Sequence, residues 1–289
     1  MTVSGAVKRP HEFSEAERSA LLRLLADEDP AVYRAIREKL IACGPMVTDW
    51  LRPHALSPDP YLRRRATEIV THFERQTADN RFLAFCLRSG TVFDLGEGAL
   101  LLAKTRYPEI NQDGYNALLD SFAADLGQQM DLRGMDRELL EKVNRFFFQR
   151  LGFKASPENR PNPENCYLNR VLDRREGDSA SLCLVYVLLG KRLRLPVTGI
   201  ALPGHFLCRY QSTLAEVYID VSCGGRIMSK ADCAHYLRPE FSDTEGSGGP
   251  ASPRLFLLRT CQRLHQIYEQ ANEPQEALRL KRYVVALQR

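Results

Sequence analysis

Four side chains near the middle of the chain are of the types used in acyl-group chemistry: Ser181, Cys183, His205 and Asp220. A hydroxyl or thiol attacks a carbonyl when an imidazole takes its proton, and a carboxylate can orient that imidazole. His205 lies in the strand-like segment Gly204-His205-Phe206-Leu207-Cys208-Arg209-Tyr210, and Asp220 in the next one, Glu216-Val217-Tyr218-Ile219-Asp220-Val221. Neighbouring strands can bring such a pair within hydrogen-bond reach. The same pair also has a plain structural reading, a buried imidazole–carboxylate strut. Cys183 is flanked by Leu182, Leu184 and Val185, a setting in which an inert core thiol is the ordinary outcome. Strand alternation turns Cys208 away from the surface that carries His205.

The elements that must position these groups can be read outward from them. Arg174-Arg175-Glu176-Gly177-Asp178 forms a turn, small residues follow it, and the apolar run Leu182 to Leu189 predicts a buried helix. Upstream, Ser14 caps a first amphipathic helix, and Asp29-Pro30 and Asp59-Pro60 each open another. An Asp at the cap followed by Pro at the first helical position suits a helix start on both counts. Met46 to Leu51 reads as a short packing helix, with Trp50 in the core. Residues 80–155 read as helical, with apolar faces on Tyr115 to Leu126 and Leu139 to Phe147, and the run Phe146-Phe147-Phe148 is read as core. Residues 156–163 are a turn-rich connector, and Pro239 to Pro253 is a glycine-rich linker. Leu255 to Glu269 and Gln275 to Leu287 form a helical hairpin, which must dock on the body because two helices alone leave too much apolar surface in water.

Composition excludes several classes. A net charge of +4 on 289 residues is too mild to signal nucleic acid, and Arg63-Arg64-Arg65 reads as a solvated helix face. No apolar run approaches bilayer length and Met1 to Pro10 lacks a signal-peptide core, so the expectation is a cytoplasmic protein without a membrane partner. The 8 cysteines are scattered without a CxxC pair, and reduced buried thiols are expected. Cys223, Cys233 and His235 match no common zinc spacing. No metal and no cofactor is expected.

The chain from about Phe93 to Leu237 resembles the SirB-type transglutaminase-like family. The resemblance is carried by Phe93-Asp94-Leu95-Gly96-Glu97-Gly98-Ala99, Arg106-Tyr107-Pro108, Tyr167-Leu168-Asn169-Arg170-Val171-Leu172, Leu195-Pro196-Val197, Pro203-Gly204-His205-Phe206-Leu207, and Ile219-Asp220 with Gly224-Gly225-Arg226. It implies an α+β fold with a papain/transglutaminase-like core. In active transglutaminase-like enzymes it implies a Cys at the N-terminus of the central helix, which the SirB-type pattern lacks, a His that activates it and an Asp that orients the His; His205 and Asp220 fit the last two roles. Measured back from Leu195-Pro196, the nucleophile's place is Ala180 or Ser181, and Ser181 is typical of the SirB-type pattern. Cys183 is two residues further on, which turns it by about 200° around the helix.

The expected organisation is a HEAT-like helical region over 1–80, the transglutaminase-like core over 81–241, and a linker with a TPR-like hairpin over 242–289. Two functions remain open. One is a non-catalytic interaction module whose partner is another protein or a peptide. The other is a hydrolase or acyltransferase acting on an amide or thioester through Ser181 or Cys183 with His205 and Asp220.

Overall fold

The computed structural model describes residues 13–88, 93–128, 136–157, 161–233 and 249–289. The chain divides into two units, Met1–Asp79 and Asn80–Arg289, each with its own core. In the first, helix starts are set by side chains. Ser14 and Glu17 form a reciprocal capping box at α1 (Glu15–Ala26), with the Ser14 N–H donating to Glu17 Oε2 at 2.8 Å. Asp29 accepts the Ala31 N–H at 2.7 Å to open α2 (Pro30–Ala42). After the short α3 (Val47–Leu51), Asp59 accepts the Tyr61 N–H at 2.8 Å to open α4 (Pro60–Cys86). Leu25, Leu40, Leu51 and Ile69 meet in a core with no exposure, and Trp50 lies half-buried, edge-on to Phe13.

One expectation fails in this unit. Arg63 and Arg64 are exposed, but Arg65 is buried. Its guanidinium donates to the Leu25 carbonyl at 2.9 Å and to the Asp27 carbonyl, and stacks 4.5 Å over the Tyr33 ring. It satisfies carbonyls that the end of α1 leaves open, a role at which a cation is favoured by the helix dipole.

The second unit is built around α9. Before it come α5 (Leu95–Arg106), α6 (Gln112–Gly127), α7 (Asp136–Asn144) continued by a π-helical turn over Arg145–Arg150, and α8 (Leu168–Arg174). Phe146 and Phe147 are core, while Phe148 is only partly buried. Two short parallel strands, β1 (Lys154–Ala155) and β2 (Glu176–Gly177), bring the connector alongside the turn that precedes α9. Helix α9 (Ser179–Arg192) is buried around nearly its whole circumference, as its apolar run requires. It packs on an antiparallel sheet in the order β3-β4-β5-β6: β3 (Val197–Leu202), β4 (His205–Gln211), β5 (Glu216–Asp220) and β6 (Arg226–Met228). The short α10 (Lys230–Cys233) follows. Helices and sheet occupy separate parts of the unit, so the fold is α+β.

The hairpin is α11 (Pro253–Gln270) and α12 (Pro274–Leu287), and it docks on the same core. Phe256 packs 4.8 Å from Phe206, and Tyr283 meets Phe82 edge-on at 4.7 Å. Two glycines permit this approach. A Cβ at Gly98 would come within 2.5 Å of Leu257, and one at Gly199 would overlap the Phe256 ring. Arg279 donates to the Thr105 carbonyl at 2.6 Å, and Arg106 pairs with Glu276 at 3.3 Å. Ala251 donates to the Gly199 carbonyl at 2.7 Å, so the chain returns beside β3 before entering α11. Of the glycine-rich linker, residues 239–248 lie outside the described residues.

Candidate functional site

The N-terminus of α9 is set by Asp178. Its Oδ1 accepts the Ser181 N–H at 2.8 Å, so the first helical residue is Ser179. The opposing strand is fixed by the two-residue turn Pro203-Gly204. β3 and β4 pair Leu202 with His205, and Gly204 carries the φ of 71° that such a turn needs from a glycine. The two elements meet where the Phe206 N–H donates to Ser179 Oγ at 3.2 Å.

His205 Nε2 lies 3.3 Å from Asp220 Oδ1, the arrangement anticipated for neighbouring strands. Asp220 is 1% exposed and His205 19%. The same Oδ1 accepts the Ser222 hydroxyl at 2.6 Å and the N–H groups of Ser222 and Cys223 at 3.0 and 3.2 Å. Burial alone would raise the Asp220 pKa. The hydrogen bonds from His205 and Ser222, supported by attraction to His205, outweigh it and hold the carboxyl well below the usual carboxylate range. Asp220 is therefore a carboxylate at neutral pH and does two jobs: it caps the turn Val221–Cys223 and it orients the imidazole. Asn144 braces this loop, donating to the Gly225 carbonyl at 2.6 Å while accepting from Tyr186 at 2.9 Å.

The remaining sequence candidates are placed elsewhere. Ser181 is 2% exposed, and its hydroxyl points at the Asn165 carbonyl (2.6 Å) and Asp178 Oδ1 (2.8 Å), tying the start of α9 to the segment before α8. Cys183 has no exposure; its Sγ lies 3.3 Å from the Leu207 carbonyl and 3.2 Å from Cys208 Sγ, on the core face of β4. Burial, with the hydrogen bond to Cys183, pushes the Cys208 thiol well up. Neither Ser181 nor Cys183 lines the cavity described next, whereas His205 does.

That cavity has a volume of about 660 Å³. Its walls are the first turn of α9 (Ser179, Ala180), the β4 start with His205, the loop with Ser222 and Cys223, the connector after β1, and one face of α11. Ser179, half-buried on the first turn, is the hydroxyl that the α9 terminus presents to the cavity. Counting back from Leu195-Pro196 stops one or two residues short of it. The available signal was Asp178, whose cap fixes the first helical residue directly. Ser222, 3.4 Å from His205 Nε2, is a second residue that sequence reading passed over. Two thiols line the cavity. Cys166 donates to Asp178 Oδ2 at 3.2 Å and is pushed well up by burial and by the Asp178 charge; Cys223 is pushed up by burial and Asp220. Among the described residues no group of three or more His, Cys, Asp or Glu side chains is placed to hold a metal ion, and His235 lies outside them. Among those residues, too, no helix is long and apolar enough to cross a membrane.

A core of this kind, a buried helix whose first turn faces a His–Asp pair on an antiparallel sheet, defines a class, and comparison with known proteins agrees. A family model described as the transglutaminase-like superfamily matches residues 113–262. A UPF0162 protein of Xylella fastidiosa is 30% identical over 188 residues, covering 63% of this chain and 67% of that protein. A UPF0162 protein of Pseudomonas aeruginosa is 30% identical over 197 residues, covering 67% and 72%. F-box only protein 21 of Homo sapiens is 26% identical over 134 residues, covering 43% of this chain and 21% of that protein. No solved structure matches. The chain belongs to the transglutaminase-like superfamily and, within it, to the UPF0162 family.

Proposed function

We propose that this chain is a binding member of its superfamily, whose cavity holds a segment of peptide or of another protein without turnover through a cysteine. The observation that carries this reading is the state of the thiols. The two that line the cavity, Cys166 and Cys223, both have raised pKa values, and Cys183 is sealed in the core. Cysteine catalysis needs a thiolate, which a neighbouring cation or helix N-terminus normally supplies. Here burial and a carboxylate, Asp178 beside Cys166 and Asp220 beside Cys223, outweigh the lowering effect of Arg263 and Arg226 and favour the protonated form. His205, held from behind by Asp220, then acts as part of the cavity wall. The motif set around Tyr167 to Leu172 supports a SirB-type member, and HEAT-like and TPR-like readings of the helical region 1–80 and of the hairpin within 242–289 suit a protein partner. The test is equilibrium binding of a peptide library to the full chain, with Ser179→Trp filling the cavity. Saturable binding lost in that variant, without hydrolysis of the bound peptides, supports the reading. Hydrolysis that disappears in His205→Ala overturns it.

A second reading is favoured by one observation. Ser179 Oγ accepts the Phe206 N–H and lines the same cavity as His205, so a Ser179-His205-Asp220 set would act as a serine hydrolase or acyltransferase on an amide or thioester. Labelling of Ser179 by a fluorophosphonate, abolished by His205→Ala, would establish it in place of the binding module.

A further inference from the structure

Helix α11 turns two different faces to its surroundings. Phe256, Leu257, Cys261 and Leu264 enter the core, whereas Arg259, Gln262, Arg263 and Gln266 recur at i, i+3, i+4 and i+7 and line the same cavity as His205. Both arginines are half-buried. Among the described residues neither forms an ion pair, and Arg259 Nε is buried without a hydrogen-bond partner. Arg263 lies near enough to Cys166 to lower its pKa, against the larger upward effects of burial and Asp178. Two cations four residues apart on a helix repel each other, and a buried guanidinium donor without an acceptor is costly. A ligand oxyanion would remove both penalties.

We propose that this face of α11 is a carboxylate subsite, which gives the cavity a preference for an acidic residue in the peptide it holds; the proposal rests on the binding reading above. Charge selects the ligand. The described lining carries Arg259, Arg263 and Asp178, and Asp178 is engaged with Ser181 and Cys166. Two arginines against one aspartate leave an excess of one formal positive charge on the lining, which one carboxylate neutralises. A planar carboxylate also matches the guanidinium fork in two parallel hydrogen bonds. Gln262 and Gln266 flank the arginines with amide groups of the kind that pair with peptide N–H and C=O groups. The volume of about 660 Å³ suits a short extended segment rather than a folded domain.

The test is calorimetric titration of the full chain, both unaltered and as Ser179→Ala, so that turnover does not contribute. The probes are acetyl-Ala-Glu-Ala-amide, its Gln and Lys counterparts, and inorganic phosphate. The Glu peptide should bind at least about tenfold more tightly than the Gln peptide. Arg259→Gln with Arg263→Gln should bring the two to equal affinity. Arg263→Glu should shift preference toward the Lys peptide, a gain that a merely unfolded variant would not show. Equal binding of Glu and Gln peptides by the unaltered chain would overturn the subsite and leave the binding cavity standing. Phosphate binding more tightly than the Glu peptide would overturn the choice of carboxylate. Failure of all three peptides to bind at millimolar concentration would overturn the subsite together with the reading it rests on.

Discussion

Replacing Asp220 tests how the site is held together. Asp220→Ala removes the acceptor from four donors: His205 Nε2 at 3.3 Å, the Ser222 hydroxyl at 2.6 Å, and the N–H groups of Ser222 and Cys223 at 3.0 and 3.2 Å. Hydrogen bonds to a charged acceptor contribute about 1.5–3 kcal/mol each, and loss of a capping carboxylate alone costs about 0.5–2 kcal/mol. The donors are not all sealed, since Cys223 is exposed and Ser222 half-buried, so water recovers part of the loss. The net cost should be about 2–4 kcal/mol, which for a unit of this size lowers Tm by roughly 5–15 °C. Asp220→Asn keeps an acceptor for the caps and should cost about half as much. The pH dependence has a definite sign. The folded-state pKa of Asp220 is depressed, so its contribution is fully present above the unfolded value of about 3.9 and is lost as pH falls below that toward the folded-state value. Thermal melts followed by near-ultraviolet circular dichroism at pH 7 and pH 3 measure both effects. A Tm for Asp220→Ala within about 1 °C of the unaltered chain at pH 7, or a gap between Asp220→Asn and the unaltered chain that is the same at both pH values, would refute this account of the carboxylate.

Other substitutions probe the neighbouring geometry. Iodoacetamide at neutral pH should label exposed Cys223 first and leave Cys183 and Cys208 unmodified in the folded chain, read by peptide mass mapping. Rapid labelling of Cys183, abolished by His205→Ala, would favour a cysteine enzyme. Gly199→Ala drives a methyl into the Phe256 ring and should destabilise by about 1–3 kcal/mol, with Phe256→Leu in the same chain restoring part of the loss in denaturant titration. Ser181→Ala leaves the Asn165 carbonyl without its 2.6 Å donor and should cost about 1–2 kcal/mol of stability while leaving cavity binding unchanged. A loss of binding larger than the loss of folded protein would put Ser181 in the site.

The features legible in the sequence were those fixed locally. The Asp-Pro pairs marked the starts of α2 and α4 because the cap and the first-turn proline act within three residues. Strand alternation placed Cys208 on the core face and brought His205 and Asp220 together. What escaped depended on partners distant in sequence. Arg65 looked like its exposed neighbours until the end of α1 supplied carbonyls 38 and 40 residues away. Ser181 looked like a nucleophile because its environment is set by Asn165, 16 residues earlier. The arginines of α11 carry no mark in the sequence, and only docking of the hairpin makes their side a cavity wall. Nor does periodicity reveal that α4 runs through 27 residues.

The docked hairpin also has a consequence for how the protein is made. Tyr283 packs on Phe82, and the Arg254 guanidinium donates to the Arg88 carbonyl at 2.7 Å, so the last helices seal against the first residues of their own unit. On a ribosome moving at about 5–20 residues per second, roughly 10–40 s separate the synthesis of Phe82 from that of Tyr283. Through that interval the hairpin-facing side of Phe82 has no cover, and those of Gly98 and Phe206 have none from the time each is made. The core of the second unit is thus complete only once the hairpin has been made. Slowing translation should therefore harm the yield of this chain more than the stability of the finished protein would suggest.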